Sequence, residues 1–288
     1  MKYSILLFLF VGLVACKEAD NTASLSEEDL QVVTLAVSEA LADETDGVMT
    51  ELYDLQNNLA FGRSSNEVGV LHGPQRGPRP GQGDPRNQIR TYDPLTGKHV
   101  IQFERNFTSR DITKSQSVYL EYIFTNPDGA FVEFPGREEV AQVQFTGTRE
   151  GSFTGPQRSS TTSRSATWLM QGMEAASTTV RLNGTQENSG TMSGSTPNGD
   201  FSREFTLTLG FADVTLDKSF EADSTLENKV TGTITFNMTM KHTLPNGEIR
   251  EKTNQGSIDL AGNGKALLRI MGIRTLFAIN LATGDVES

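Results

Sequence analysis

From residue 89 onward the chain alternates apolar and polar side chains with a period of two, the pattern of strands buried on one face and solvated on the other. The alternation is clearest where Val230, Ile234, Phe236, Met238 and Met240 interleave with Thr231, Thr233, Thr235, Asn237, Thr239 and Lys241. It also predicts strands from Ile101 to Phe107, Val118 to Phe124, Val143 to Phe145, Val180 to Leu182, Phe205 to Phe211 and Phe277 to Leu281. Turn-forming sequences lie between and after them: Asn126-Pro127-Asp128-Gly129, Pro245-Asn246-Gly247, Gly262-Asn263-Gly264 and Thr283-Gly284. Neighbouring strands joined by such turns make an antiparallel meander. Ser159–Ser165, all serine and threonine apart from Arg164, reads as a mobile loop ahead of Trp168.

Ahead of the strands the spacing changes to three and four. Leu30, Val33, Val37 and Leu41 line one face of a helix that Ser26 caps, with Asp29 in the capping-box position and acidic residues meeting the positive end of the helix dipole. The helix is expected to reach about Asp43. Asp46-Gly47 breaks it, and Val48, Leu52, Leu55 and Leu59 repeat the spacing, giving a helical hairpin or a kinked helix. The charges on this segment are acidic, whereas helices lying on membranes are usually basic, so packing against the protein's own core is expected. Glycine and proline then dominate from Gly73 to Pro85, where neither helix nor ladder can continue. Arg76, Arg79 and Arg86 make that stretch locally positive, as suits either a solvated linker or a loop that binds an acidic group.

Residues 229–242 would extend about 45 Å at roughly 3.3 Å per residue, a length suited to curved sheets and barrels. A sheet with one apolar face must cover it, and the two N-terminal helices are the cover available. The expected fold is therefore mainly β: an antiparallel curved sheet, half-barrel or barrel-like, with the N-terminal amphipathic helices packed on its concave face. This architecture is similar to that of the periplasmic lipoprotein carriers and their outer-membrane acceptors, which hold acyl chains between a half-barrel and a helical lid. The similarity is at fold level, with no motif matched residue by residue.

Lys2 and the apolar run Tyr3–Ala15 have the layout of a secretory signal, too short to span a bilayer comfortably. Leu13-Val14-Ala15-Cys16 resembles the lipobox of bacterial lipoproteins. The resemblance implies diacylglyceryl attachment to the thiol of Cys16, cleavage just before it, and often acylation of the new amino terminus. Two or three acyl chains make such an anchor effectively permanent, since each buried methylene adds about 0.8 kcal/mol. Lys17 stands where an aspartate is associated with retention at the inner membrane, so the resemblance implies sorting to the outer membrane. The expected organisation is a signal peptide over 1–15, the lipidated cysteine and a flexible tether over 16–24, a helical segment over 25–61, a Gly/Pro/Arg-rich loop over 62–88 and a β domain over 89–288. Residues 25–288 are expected to form one structural unit.

A net charge of -11 repels nucleic acid, so no nucleic-acid partner is expected. Cys16 is the single cysteine, which leaves no intramolecular disulfide and no multi-cysteine metal site. Phosphate-binding glycine loops, the dinucleotide fingerprint, H-E-x-x-H and G-x-S-x-G are absent from the sequence. His72, His99 and His242 are far apart, and Glu138-Glu139, as chain neighbours, point to different faces. No catalytic set, cofactor or metal ligand is thus assigned, and Met170, Met173, Met238, Met240 and Met271 either fill the core or line an apolar cavity. The expected function is that of a lipid-anchored envelope lipoprotein whose domain binds an apolar ligand or a protein partner without catalysis, or serves a structural surface role. The alternatives are a hydrolase of envelope polymers with carboxylates assembled in space, and an adhesin or assembly subunit.

Overall fold

The structure, a computed structural model, describes residues 25–59, 86–135, 138–196, 199–219, 225–243 and 249–287. The signal segment, Cys16, the tether, most of the 62–88 loop and the Pro245-Asn246-Gly247 turn lie outside the described residues.

Two helices, α1 (Glu27–Leu41) and α2 (Val48–Leu59), precede the strands. These are β1 (Arg86–Asp93), β2 (Lys98–Ser109), β3 (Ile112–Thr125), β4 (Gln142–Thr154), β5 (Arg158–Gln171), β6 (Thr179–Thr196), β7 (Gly199–Asp217), β8 (Val230–Thr243), β9 (Ile249–Ala261), β10 (Lys265–Ile270), β11 (Leu276–Asn280) and β12 (Val286–Glu287). They form one antiparallel sheet whose spatial order is the chain order, and β1 and β12 do not pair to close it. The fold is a mainly β half-barrel with the helices on its inner face, as the alternation and the helical spacing predict.

Period-two alternation holds the inner face together by stacking side chains at one level across many strands. One such row passes through Tyr92, His99, Tyr122, Phe145 and Trp168, then through Gly184 to Phe211, Ile234, Ile258, Leu268 and Phe277. Rings along it meet at 4.5–5.5 Å, as Tyr92 to His99 at 4.5 Å, Tyr122 to Phe145 at 5.1 Å and Phe145 to Trp168 at 5.0 Å, and Phe124, beside the row, bridges His99 and Tyr122. Gly184 interrupts the row with φ 142°, where a Cβ would run into Thr167 of β5. Its missing side chain lets Trp168 and Phe211 meet edge to face at 5.5 Å over a bulge between β6 and β7.

The hairpin of helices fills the concavity. Val33, Val37 and Leu41 of α1 and Val48, Leu52 and Leu55 of α2 are buried in the same core as the strand row, while Leu30 is half-buried at its edge. Both ends of α1 are finished by the sheet. Ser26 Oγ accepts the Asp29 N–H at 3.2 Å, and the Asp29 carboxylate takes Lys252 of β9 at 2.6 Å and Arg203 of β7 at 3.3 Å. The last turn of α1 contains no basic residue. Its exposed carbonyls are met by Arg164 of β5, donating to Glu39 O at 3.2 Å, and by Gln186 of β6, donating to Ala40 O at 3.3 Å. The helix ends at Leu41, two residues before the expected Asp43, because the Asp43 and Glu44 N–H groups donate instead to Leu281 O and Ala282 O of the last hairpin, each at 2.9 Å.

One expectation is overturned. Ser159–Ser165 is no loop but the first half of β5, paired residue by residue with β4 and β6. Its serines and threonines hide the alternation because the inward members Ser160 and Thr162 face a polar cleft rather than the apolar core.

The turn between the helices fixes where the hairpin sits. Asp46 adopts φ 61°, and a Cβ on Gly47 would come within 2.6 Å of Ala42 O. Gly47→Ala is expected to destabilise the fold by about 2–4 kcal/mol, as a backbone clash inside a closed turn does. Chemical denaturation followed by the buried Trp168 measures it, and a loss within 0.5 kcal/mol of zero would show that the turn is not held as described.

Candidate functional site

Beneath the α1–α2 turn, at the sheet end formed by the β2–β3 and β4–β5 hairpins, a cleft of about 230 Å³ opens to solvent. The alternation of β4 puts Val143, Phe145, Gly147 and Arg149 on the inner face, and that of β5 puts Ser160, Thr162, Arg164 and Ala166 there. Arg149 and Arg164 are thus direct cross-strand partners. Like charges placed so are destabilising unless acids gather around them.

The helices supply those acids. Glu51 of α2 holds Arg149 through two oxygens, one at 2.8 Å from Nη2 and the other on Nε, and Asp54 takes the same Nη2 at 2.7 Å. Asp46 in the turn pairs with Lys114 of β3 at 2.5 Å and with Arg105 of β2 at 3.7 Å. Glu39 of α1 pairs with Arg158 of β5 at 2.8 Å. Arg164 is treated differently. Its Nε donates to Asn188 Oδ1 at 2.6 Å and its Nη2 to the Glu39 carbonyl, and among the described residues it makes no ion pair. Phe107, Ile112 and Phe153 give the cleft apolar wall, with Arg158 lying 5.0 Å over the Phe153 ring.

Burial sets the direction in which each group is pushed. Burial raises Glu39 above the usual carboxylate range, and the positive charges of Arg158, Arg164 and Lys114 offset only part of that. Burial also acts on Asp46, but Lys114, Arg149 and Arg105 together outweigh it and hold the carboxyl low. Asp29 is likewise held low, because Lys252, Ser26 and Arg203 outweigh its burial. Arg149 remains firmly cationic through Glu51, Asp54 and Asp46 despite complete burial. Burial moves Arg164 the other way, and with the charge of Arg149 it outweighs the attraction of Glu51, Asp46 and Glu39.

The residues singled out in the sequence are not the ones the fold brings together. Cys16, His72, Arg76 and Arg79 lie outside the described residues. His99 belongs to the aromatic row, with Nε2 2.9 Å from Val132 O, and its burial lowers its pKa. His242 lies near the end of β8, six strands away. Glu138 and Glu139 are exposed between β3 and β4, where Glu138 accepts the Phe134 N–H at 3.1 Å. Met170, Met173, Met238 and Met240 are core filling, and Met271 is exposed. Among the described residues no group of three or more His, Cys, Asp or Glu is placed to hold a metal ion, and no helix is long and apolar enough to cross a membrane. Sequence reasoning passed over Arg149 and Arg164, although both fall on the buried phase of their strands, and a charge in that phase is a signal that can be read.

Comparison of the chain with protein-family models, with curated proteins and with solved structures finds no match.

The two aspartates held low lead to a pH dependence. A carboxyl whose folded pKa lies below its unfolded value, about 3.9 for aspartate, stabilises the fold above that pH and loses this contribution as pH falls through the folded value. Glu39 acts in the opposite sense and favours the fold on protonation. Asp93 and Asp217 are also held low, by hydrogen bonds from Thr96 and Ser219, so the melting temperature followed by Trp168 is expected to fall below about pH 4, and Asp46→Asn is expected to lower it at pH 7 while flattening the acid slope. An unchanged slope in the variant would contradict the assignment of Asp46.

Proposed function

We propose that the chain is an envelope lipoprotein, held on a bacterial membrane by lipid on Cys16, whose half-barrel domain binds a ligand with an apolar part, or a protein partner, without transforming it. The observation that supports binding most strongly is the cleft under the helical turn. It sits at the seam of the two layers, and it sets converging charged groups, three of them arginines, beside the apolar wall of Phe107, Ile112 and Phe153. The lipobox Leu13-Val14-Ala15-Cys16 supports the anchor, and Lys17 supports sorting to the outer membrane. Native mass spectrometry of the mature chain, released from membranes in mild detergent, is expected to show a retained small ligand; a mass equal to the acylated chain alone would count against ligand binding. Cys16→Ala is expected to abolish palmitate labelling and to release or mislocalise the protein, and unchanged labelling would falsify the anchor.

One observation favours a second reading, hydrolysis of an envelope polymer. Glu39 and Asp46 line one cleft with carboxyls displaced in opposite directions, the arrangement that separates a general acid from an ionised partner. Both are already engaged by cations, which suits a static charge network better than proton transfer. Turnover of peptidoglycan or other envelope glycans that disappears in Glu39→Gln would replace the binding reading with this one.

A further inference from the structure

We propose that the cleft takes the anionic head of a single-chain amphiphile, with Arg164 and Arg149 binding its carboxylate or phosphate and Phe107, Ile112 and Phe153 contacting the first part of its tail. This deepens the binding reading above and rests on it.

The argument begins with how charge is distributed. The ion pairs go to other cations: Glu39 pairs with Arg158, Asp46 with Lys114 and Arg105, and Glu51 and Asp54 with Arg149. Arg164 is left with two neutral oxygens, those of Asn188 and of the Glu39 backbone. The carbonyl end of α1 contributes about half a negative charge there, short of the full charge of a guanidinium that also faces Arg149 across the strands. Glu51, Asp46 and Glu39 lie near enough to favour its charge, but none forms an ion pair with it, so its guanidinium edge is not occupied by a carboxylate. Both arginines also retain an Nη1 that is shielded from water and has no hydrogen-bond partner among the described residues. A guanidinium fork matches the paired oxygens of a carboxylate or phosphate.

The remainder of the cleft says what carries that anion. Phe107 and Phe153 are half-buried and Ile112 is 39% exposed, so apolar surface lies in the cleft that holds the two arginines. An inorganic ion would leave that surface wet, whereas an alkyl chain would cover it. Polyanions are disfavoured by the net charge of -11, which repels them while one buried anion meets mainly the local arginines.

The test is calorimetry on the full mature chain in nanodiscs of uncharged phosphatidylcholine, with empty discs as blank and four probes: decanoate, decyl phosphate, decanol and inorganic phosphate. Saturable binding of decanoate or decyl phosphate is expected, the tighter of the two identifying the head group, with decanol and inorganic phosphate at least tenfold weaker. Arg164→Met is expected to weaken the preferred probe at least tenfold and Arg164→Lys to recover part of the loss. Arg164→Met also removes the cap on the Glu39 carbonyl and should lower the melting temperature, but by less than Arg149→Met, which strands Glu51 and Asp54. Decanol bound as tightly as decanoate, with no effect of Arg164→Met, would overturn the anion site and leave the binding reading standing. Inorganic phosphate bound as tightly as decyl phosphate would overturn the amphiphile. A chain that binds none of the four probes has no such site, and the native mass measurement then decides the binding reading separately.

Discussion

The twelve described strands have one apolar face that must be hidden, and in this molecule the cover is the helical hairpin of residues 27–59. The hydrophobic part of that seat is broad: Val33, Val37, Leu41, Leu52 and Leu55 belong to the same buried core as Tyr122, Phe145 and Trp168. Apolar burial is non-directional and would tolerate a hairpin that slid or rotated. What fixes the register is the set of polar contacts around its rim. Arg203 and Lys252 hold the start of α1, Arg164 and Gln186 hold its end, the last hairpin of the sheet holds the turn, and Arg149 holds α2 through Glu51 and Asp54. Removing one member of a buried pair such as Arg149–Glu51 costs about 3–5 kcal/mol, because the other charge is left without compensation.

The cleft follows from this seating. The hairpin of helices covers the apolar part of the inner face and stops at Asp46-Gly47, short of the far ends of β2 to β5. Beyond that point the inward positions change from Phe145, Trp168 and Met170 to Arg149, Ser160, Thr162 and Arg164. One sheet face thus divides into a dry half that packs and a polar half that remains open to solvent.

These two halves explain which parts of the structure were legible in the sequence. Where the inner face is dry, the contrast between apolar and polar positions is strong, and Val230–Met240 or Phe205–Phe211 announce themselves. Where the inner face is wet, both faces are polar, the contrast disappears, and Ser159–Ser165 looks like a loop although it is ladder throughout. The same loss of contrast concealed the site. Arg149 and Arg164 occupy inward positions, and only the phase of their strands, carried forward from Phe145 and back from Trp168, reveals it. Their partners Glu39, Glu51 and Asp54 are distant in sequence, on helices whose apolar spacing was plain but whose polar residues gave no indication of what they would meet. Ser26, Asp46-Gly47 and Asn126–Gly129 were readable because turns and caps are local chemistry, completed within a few residues.

Hydrogen–deuterium exchange at neutral pH tests the central claim most directly, that the helical hairpin is the seated inner layer of the half-barrel. An isolated pair of helices this short would fray and exchange fast, whereas a seated pair opens only with the sheet. The account predicts that amides of α2 around Leu52 and Leu55 exchange as slowly as those of β4 and β5 around Phe145 and Trp168, within one cooperative unit. Fast exchange of α2 beside a protected sheet would contradict it.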